Sequence, residues 1–522
     1  MVKNCMKRIF YGGFALWLIA ILAVVIRYPQ NNLVPGRMFL YMLVWVGILG
    51  AIKITLSCIE GGLRRKGLNV EKISRTGFVC YVFLYGIALY IVSLLLRSYP
   101  VTDYGNVYHT AYSLATGQTV EDWTYFSMWT NNLGNLSILT FLMKIGLFIG
   151  FEDPFYFVLG VNVLQIIAVL VSLFYLSGRL FPGPDKKIST QWLTAACFTL
   201  WTPVWASTKG FYSDQLSFGG SIIAVSLILY ACNRNKIAVE NTAKKFSGSK
   251  WLLIALAGFI WGISISAKAT AGVGVIALAI AALLAGKYRS HWKEALTLLL
   301  AIALGVGILS AHAKTYPSVA DEYRLKTPTE YWIAMGLVGD GTYKDNAYLI
   351  RKCNFSQTVD ERRDVCRVII KDNWTNLFDK NHVTSKTSVI FGAGDISPTD
   401  HIYPEKESIL WHWLYWEGDY YWKYACLSTG FFFAVLLLLF VGALRETFRT
   451  GKHKDRNLLF MIYLVIFGLF LFLMLWEAQN KQLYNHISWM TLGMVAGLES
   501  LEDYVIIAAD KLKGKGQGNA GK

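Results

Sequence analysis

Long apolar runs recur along almost the whole chain, and they constrain its fold more than any other feature. A helix that spans a bilayer needs about 20 mostly apolar residues, and lipid leaves no backbone polar group to be satisfied by water. We therefore expect an all-α polytopic membrane protein with about twelve transmembrane helices. The candidate spans are Ile9–Ile26, Met38–Cys58, Gly77–Leu96, Phe155–Leu176, Trp192–Ala206, Leu216–Cys232, Trp251–Ala267, Gly272–Ala285, Ala295–Ala311, Tyr424–Leu444, Leu458–Trp476 and Ile487–Leu501.

The composition agrees with this fold class. Of 522 residues, 54% are hydrophobic and only 16% are charged, whereas soluble domains carry about 25% charged residues. The net charge of +16 raises the question of nucleic acid binding. We do not expect a nucleic acid partner, because the basic residues lie in short loops between apolar runs and form no basic, aromatic-rich module.

The basic residues also predict the orientation. They fall in every second loop, and the positive-inside rule places such loops in the cytoplasm. We therefore expect both termini in the cytoplasm of a cell (plasma) membrane protein, with Ile9–Ile26 as an uncleaved first span because no small-residue cleavage site follows it. The loops carry Lys3, Lys7, Arg8; Arg64, Arg65, Lys66, Lys72, Arg75; Arg179, Lys186, Lys187; Arg234, Lys236, Lys244, Lys245, Lys250; Lys287, Arg289, Lys293; Arg445, Arg449, Lys452, Lys454, Arg456; and Lys511, Lys513, Lys515.

The same pattern divides the chain into regions. The apolar segment Leu136–Phe151 is short and carries Lys144, and counting it as a span would place every later basic loop outside. We therefore predict an interfacial helix there. The regions are two extra N-terminal helices (1–76), a catalytic transmembrane core (77–311) with a first outer loop (97–154), a large extracytoplasmic loop or domain (312–423), C-terminal helices (424–501) and a basic cytoplasmic tail (502–522).

Polar residues that are candidates for catalysis or binding lie at the outer ends of the spans. Asp103, followed by Tyr104, comes just after the third span and is a candidate general base for an acceptor hydroxyl; the alternative is a helix N-cap. Tyr212 and Asp214 stand between the fifth and sixth spans and suit a polar substrate, a divalent cation or again an N-cap. Lys268 separates two spans and is a candidate phosphate ligand, although a lysine there also snorkels easily to the interface.

Two further groups lie in predicted outer segments. Glu477 and Tyr484 bracket the turn between the last two spans and would face the same region as the polar residues above. The aromatic run within Trp411–Tyr424 is suited to stacking on sugar rings or to an interfacial aromatic belt. Cys353 and Cys366 lie in the large polar region, where an oxidising compartment would allow a disulfide; two separate free thiols are the alternative. No pattern of metal-ligand spacing is present.

In order and spacing, these motifs resemble the GT-C superfamily of integral-membrane glycosyltransferases, in particular the protein O-mannosyltransferase and lipid A aminoarabinose transferase types. In those enzymes a catalytic aspartate follows a transmembrane helix in the first outer loop, which matches Asp103. Juxtamembrane helices come next, matching Tyr104–Gly117 and Leu136–Phe151. A second outer acidic motif and a lysine-bearing outer turn match Asp214 and Lys268.

The resemblance covers roughly Gly77 to Ala311, and a weaker similarity is present at Glu477–Tyr484. The chain departs from the pattern in two places. Two spans precede the point where most relatives begin, and Tyr104 stands where relatives carry a second acidic residue beside the aspartate. The second departure leaves the roles of a base and of a metal open, so the two outer aspartates permit Mg²⁺ or Mn²⁺ without requiring either.

The resemblance implies an inverting glycosyltransferase that moves a sugar from a polyprenyl-phosphate donor to a cell-envelope polymer, lipid or protein. In this interpretation Asp103 is catalytic, Lys268 holds the donor phosphate, and Tyr104, Tyr212, Asp214 and the Glu477–Tyr484 turn bind substrate. A secondary transporter or flippase for lipid-linked glycans is the alternative, since about twelve spans are natural there too. A scaffold without activity is a third, disfavoured by the ordered acidic motifs.

Overall fold

The computed structural model describes residues 2–181, 187–240, 247–286, 290–317, 326–343, 353, 358–396, 402–404, 408–449 and 456–518. Among the predicted basic loop residues, Lys186, Lys244, Lys245, Lys287, Arg289, Lys452 and Lys454 lie outside these ranges, and so do parts of the predicted outer domain. The described residues are almost all helical. Two three-residue strands, β1 (Ser98–Pro100) and β2 (Ile402–Pro404), pair antiparallel and join residues 97–154 to residues 312–423. These two regions keep the names first outer loop and outer domain from their predicted location.

The helices alternate between long apolar elements and short connecting ones. In chain order they are α1 (Val2–Arg27), α2 (Pro35–Arg65), α3 (Val70–Leu95), α4 (Thr102–Thr116), α5 (Thr124–Met128), α6 (Leu133–Phe148), α7 (Phe155–Leu180), α8 (Lys187–Thr199), α9 (Thr202–Ala206), α10 (Ser213–Ser217), α11 (Gly220–Glu240), α12 (Ser247–Ala267), α13 (Val273–Ala285), α14 (Trp292–Ala313), α15 (Glu330–Gly336), α16 (Val359–Asn373), α17 (Lys380–Phe391), α18 (Ile409–Leu414), α19 (Tyr421–Phe448), α20 (Asn457–Leu475) and α21 (Ile487–Gly518).

Nine helical stretches among the described residues are long and apolar enough to cross a bilayer. The protein is therefore an all-α, multi-pass membrane protein, as the sequence predicts. The stretches are Lys3–Arg27, Pro35–Arg65, Val70–Leu95, Phe155–Leu180, Ser213–Asn233, Ser249–Ala267, Trp292–Ala313, Tyr421–Phe448 and Asn457–Leu475.

The three remaining predicted spans have a different form. The stretch predicted at Trp192–Ala206 is broken into α8, with 13 residues, and the five-residue α9. The stretch at Gly272–Ala285 becomes α13, also 13 residues long. The last begins α21 at Ile487, but that helix carries Glu499, Glu502 and Asp503 within its first five turns. The total of twelve spans thus stays a prediction.

Glycines allow α12 and α14 to pack with their backbones almost in contact. A Cβ on Gly262 would lie 2.4 Å from the carbonyl oxygen of Ile302, and one on Gly258 would lie 2.6 Å from that of Leu298. Gly305 faces Gly262 from α14 in the same way. Close approach through small residues is a usual way to join helices in lipid, where apolar burial between helices contributes little.

The N-terminal helices are part of the bundle. Aromatic rings on α1 meet rings on α20: Phe10 contacts Phe460 at 5.2 Å, and Trp17 contacts Phe467 at 5.1 Å between ring centroids. Such edge-to-face pairs add about 0.5–1.5 kcal/mol each beyond the buried area. In α2, the buried Lys53 pairs with Glu499 and Glu502 of α21.

The first outer loop folds back on the bundle. Its helices α4 and α6 pack against one another, in the regions where the sequence predicts juxtamembrane helices. Arg97 and Asp153, which lie at opposite ends of the loop, form an ion pair at 2.5 Å. The Arg97 guanidinium also lies 4.6 Å from the ring of Tyr156. These contacts bring the start and the end of the loop together.

We expect Gly262→Leu to prevent α12 and α14 from docking, because a side chain at Gly262 would meet the Ile302 backbone. The yield of monodisperse protein after detergent extraction, measured by size-exclusion chromatography, should fall severely. Gly307→Leu on α14 is the matched control, since a Cβ there meets nothing within 4 Å. Equal yields for the two variants would contradict this account of the packing.

Candidate functional site

Asp214 and Lys268 form the centre of the candidate site. Lys268 follows the last residue of α12, and its ammonium donates a short hydrogen bond to Asp214 Oδ1 in α10. The Asp214 side chain is 1% exposed and that of Lys268 is 18% exposed. Burial lowers the pKa of Lys268, and the Asp214 carboxylate opposes that shift. The lysine therefore pairs with a carboxylate, and the N-cap of α10 is Tyr212 instead of Asp214.

Asn132 links the first outer loop to this pair. Its side-chain oxygen accepts a hydrogen bond from the Tyr212 hydroxyl at 3.1 Å, and its amide donates to the Tyr125 hydroxyl at 2.6 Å. Asn135 donates to the same oxygen at 3.2 Å. Gly134 makes this approach possible, because a Cβ there would lie 3.0 Å from the Ser266 carbonyl oxygen at the end of α12.

Asp103 lies on the exposed side of the same cluster. It sits within the first turn of α4, whose N-cap is Val101, so the helix does not use Asp103 as its cap. The pKa of the Tyr125 hydroxyl is raised by burial first, and then by Tyr212 and by the charge of the nearby Asp103. The pKa of Tyr212 is likewise raised, by burial and then by Asp103 and, more weakly, Asp214. Tyr212 therefore lies within the fields of both aspartates.

Tyr104 has a positioning contact. Its side chain is 5% exposed, and its hydroxyl accepts a hydrogen bond from the Phe211 backbone N–H at 3.1 Å. Burial raises the pKa of this hydroxyl, so it remains a neutral phenol. The Tyr104 and Tyr212 rings lie 5.6 Å apart. Through these contacts Tyr104 holds α4, and with it Asp103, against the segment that carries Asp214.

Glu477 enters the site from the turn after α20. Its side chain is buried at 5% exposure, and Gln479 donates a short hydrogen bond to it. Burial raises the pKa of Glu477 from its ordinary value of 4.5 to about 7, whereas Lys481 and Lys268 lower it and Asp103 raises it. Two lysines and one aspartate of the cluster thus act on this carboxyl group.

Buried polar side chains form the inner side of the site. The Tyr484 hydroxyl is hydrogen-bonded to Ser207, and its ring lies 4.6 Å from that of Phe218. Asn485 accepts a hydrogen bond from Ser217 at 2.8 Å. His486 is 2% exposed, and burial lowers its pKa to about 3, so the imidazole is neutral at physiological pH. Tyr484 therefore supports the site from within, one layer beneath Asp214.

The outer domain covers one side of the cluster. Trp332 of α15 stacks on Trp476 at 6.4 Å and contacts Trp129 at 5.6 Å, so rings from three separate segments meet. The pKa of Tyr343 is raised by burial and then by the charges of Asp103 and Glu477. This places the described part of the outer domain beside both carboxylates.

The predicted cysteine pair lies in this covering layer. Cys353 and Cys366 are both buried, and their sulfur atoms are 3.4 Å apart as two thiols. The structure therefore brings them together, and the disulfide stays a prediction. In the predicted aromatic run, Trp411 stacks on Tyr415 at 5.4 Å and Trp416 is 61% exposed. Both interpretations of that run stay predictions.

Several residues of the site were not predicted from the sequence. Tyr125, Asn132 and Lys386 were not singled out, although each is polar and buried or half-buried close to the predicted residues. The signal that could have found Asn132 is the pair of asparagines just before an apolar helix. No local signal identifies Lys386, because its partners lie 50 and 90 residues away in the chain.

Comparison with known proteins yields no match of any kind. No protein-family model, no curated protein and no solved structure is similar to this chain.

We expect Glu477→Gln to stabilise the protein at alkaline pH. Because the folded-state pKa of Glu477 is raised, its ionisation costs stability as the pH rises from about 4.5 to about 7 and the full cost remains above that. One pKa unit corresponds to about 1.4 kcal/mol, so the cost is on the order of 3 kcal/mol. Thermal unfolding in detergent should show a higher Tm for the variant at pH about 8, with the difference shrinking towards pH about 5.

The control for this experiment is Glu417→Gln, which removes an exposed glutamate of the outer domain. Its Tm should follow that of the wild type at every pH. A difference between Glu477→Gln and wild type that does not change with pH would contradict the raised pKa.

We expect Cys353 and Cys366 to form a disulfide in protein isolated from the membrane without reductant. The two buried thiols are already adjacent, and an extracytoplasmic location would expose them to oxidation. Alkylation of denatured protein followed by mass spectrometry should modify both only after reduction. Alkylation of both without reductant would show two free thiols and contradict the prediction. Cys197, a buried free cysteine, is the internal reference and should be alkylated with or without reductant.

Proposed function

We propose that this chain is an inverting glycosyltransferase of the GT-C type, which moves a sugar from a polyprenyl-phosphate donor to a cell-envelope acceptor. The observation that supports this most is the convergence of four separate segments. Asp103, Asp214, Lys268 and Glu477 come from four connections along the chain and meet at one end of the bundle, within one electrostatic cluster. This is the order of motifs on which the resemblance to those enzymes rests.

The cluster has the groups that an inverting transfer needs. The oxygen of the acceptor hydroxyl attacks the anomeric carbon, and the bond between that carbon and the phosphate oxygen breaks with its electron pair leaving on the phosphate. The proton of the hydroxyl goes to Asp103, which is the exposed carboxylate of the cluster and acts as general base. Attack opposite the leaving group inverts the anomeric centre.

Lys268 would hold the donor phosphate. It stands at the end of a membrane-spanning helix, where the headgroup of a lipid-linked donor would lie. Its positive charge favours both the phosphate of the donor and the charge that develops on the leaving phosphate. Asp214 keeps the ammonium in place, since the two are paired in a buried position. Tyr104, Tyr212 and Tyr484 would complete the substrate site.

The backbone beside Asp103 supports this assignment. Thr102 has a φ of 54°, in the left-handed region that a β-branched residue rarely adopts. Strained residues of this kind cost about 1–3 kcal/mol and cluster at active sites, where the surrounding structure maintains them. The contacts of Tyr104 and Asn132 described above are the part of the structure that would maintain it here.

The proposed function also includes an extracytoplasmic location of the site and an acceptor in the cell envelope. Twelve spans with the basic loops in the cytoplasm of the plasma membrane would place the site on the extracytoplasmic face. Nucleotide sugars are absent there, so a lipid-linked donor is required. The outer domain would select the acceptor, a glycan polymer, a lipid or a protein, because it covers Asp103 and Glu477.

We expect Asp103→Asn to lower transfer by about 10²- to 10⁴-fold, the range typical for loss of a general base. Purified protein in nanodiscs would be given a panel of radiolabelled polyprenyl-phosphate sugars and a crude envelope acceptor, and incorporation of label would be counted. Glu121→Gln, an exposed carboxylate of the same loop, is the control and should transfer normally. Folded wild-type protein that transfers from no donor would favour a flippase of lipid-linked glycans.

We expect folded Lys268→Ala protein, isolated by size-exclusion chromatography because Asp214 loses its buried partner, to have a raised KM for the donor with a smaller decrease in kcat. The lysine binds the ground-state phosphate. Initial rates over a range of donor concentration measure both constants. Transfer should persist in EDTA, since Lys268 already supplies the positive charge beside Asp214. An unchanged KM in the variant, or activity lost in EDTA and restored by Mg²⁺ or Mn²⁺, would contradict this role of the lysine.

A further inference from the structure

The turn that carries Glu477 is held from both sides of that residue. The backbone N–H of Ala478 donates to the carbonyl oxygen of Gly341 at 2.8 Å. The side chain of Asn480 donates to the carbonyl oxygen of Ala393 at 2.7 Å. On the other side of Glu477, the carbonyl oxygen of Trp476 accepts a hydrogen bond from Lys386 at 2.8 Å. The outer domain thus fixes the backbone around Glu477 and leaves its side chain to face the site.

Lys386 is the charged member of these contacts, and it is buried to 0% exposure in the middle of α17. Besides Trp476, its ammonium donates a short hydrogen bond to the carbonyl oxygen of Gly336 at the end of α15. Gly336 packs directly on the same turn, since a Cβ there would lie 2.4 Å from the Trp476 oxygen. A buried ammonium is costly, and these carbonyl groups offset the cost.

The opposite side of α17 is tied to the N-terminal helices. Ser388 donates to the carbonyl oxygen of Tyr28 at 2.6 Å and accepts from the Gln30 side chain at 2.6 Å. The backbone N–H of Gln30 also donates to the carbonyl oxygen of Gly392 at 3.0 Å. Helix α17 is therefore held between the turn after α1 and the turn that carries Glu477. This gives the two extra N-terminal helices a part in the geometry of the site.

We propose that Lys386 is a positioning residue for Glu477: it fixes the Trp476–Glu477 backbone so that the carboxyl group faces Lys268 and the bound substrate. This inference rests on the proposed function for its kinetic part. A shift of about 1 Å in a substrate-binding group lowers turnover by up to about 100-fold. Lys386→Met keeps the length of the side chain but cannot donate to either carbonyl group.

The kinetic experiment is a double-mutant cycle. Lys386→Met should lower kcat/KM by about 10- to 100-fold, and it should add little to the loss already caused by Glu477→Gln, because it acts through that residue. Lys380→Met, an exposed lysine in the first turn of the same helix, should have no effect. Losses that simply add in the double variant, or a wild-type rate for Lys386→Met, would overturn the proposal.

A second readout does not need activity. A carbodiimide reacts with protonated carboxyl groups, so modification of Glu477 at one fixed pH can be followed by mass spectrometry, with Glu477→Gln as the blank. Lys386→Met should increase the rate of modification more than Lys386→Gln does, because both variants lose the positive charge near Glu477 but the Gln side chain keeps a donor for the carbonyl groups. Lys380→Met should leave the rate unchanged. If Lys386→Met yields no folded protein, Lys386→Leu replaces it as the variant without a donor for the carbonyl groups.

The two readouts separate the possible failures. If the wild type transfers no sugar but Lys386→Met still exposes Glu477 to the carbodiimide more than Lys386→Gln does, the proposed function fails and the positioning role stands. If the wild type transfers sugar and the modification of Glu477 is the same in Lys386→Met and Lys386→Gln, the positioning role fails alone.

Discussion

The buried ion pair of Asp214 and Lys268 joins two helix ends that are 54 residues apart in the chain, and the surrounding contacts are arranged around it. A lysine at the centre of a membrane span costs about 2.5–3.5 kcal/mol on insertion scales, and one at the end of a span costs less. A carboxylate with 1% exposure is also costly to bury. Each charge is tolerable because the other is present. Removal of one partner from such a pair costs about 3–5 kcal/mol, so α10 and the end of α12 must stay together.

The first outer loop and the last outer turn then add their own groups to this pair. The loop does so through Asn132 and Tyr104, which use hydrogen bonds of 3.1 Å to Tyr212 and to the Phe211 backbone. The last turn contributes Glu477, whose pKa is raised by burial and lowered in part by the lysines around it. Neutral hydrogen bonds set distances in this site, and charges set protonation. Both are needed if one carboxylate is to accept a proton while another binds substrate.

The other charged centres of the bundle hold helices together. Lys53 of α2 pairs with Glu499 at 3.1 Å and Glu502 at 2.9 Å in α21. Glu60 of the same helix accepts a hydrogen bond from the Ser189 backbone N–H at 2.7 Å, at the start of α8. These contacts connect α2 to both a short and a long helix of the core. They explain how α2 forms part of the fold, and they involve none of the candidate site residues.

The sequence by itself determined the helical, multi-pass architecture, because the length and apolar character of a span are local properties. It also pointed to Asp103, Asp214, Lys268 and Glu477, because these ionisable residues stand in the connections that alternate with the basic loops. A local signal for the break after Thr199 is Pro203, which stands in the first turn of α9, because proline cannot continue a helix from the preceding turn. The pairing of Lys268 with Asp214, the role of Asn132 and the burial of Lys386 were decided only by the tertiary structure. Each requires partners from distant segments, and no local pattern encodes which distant groups will meet.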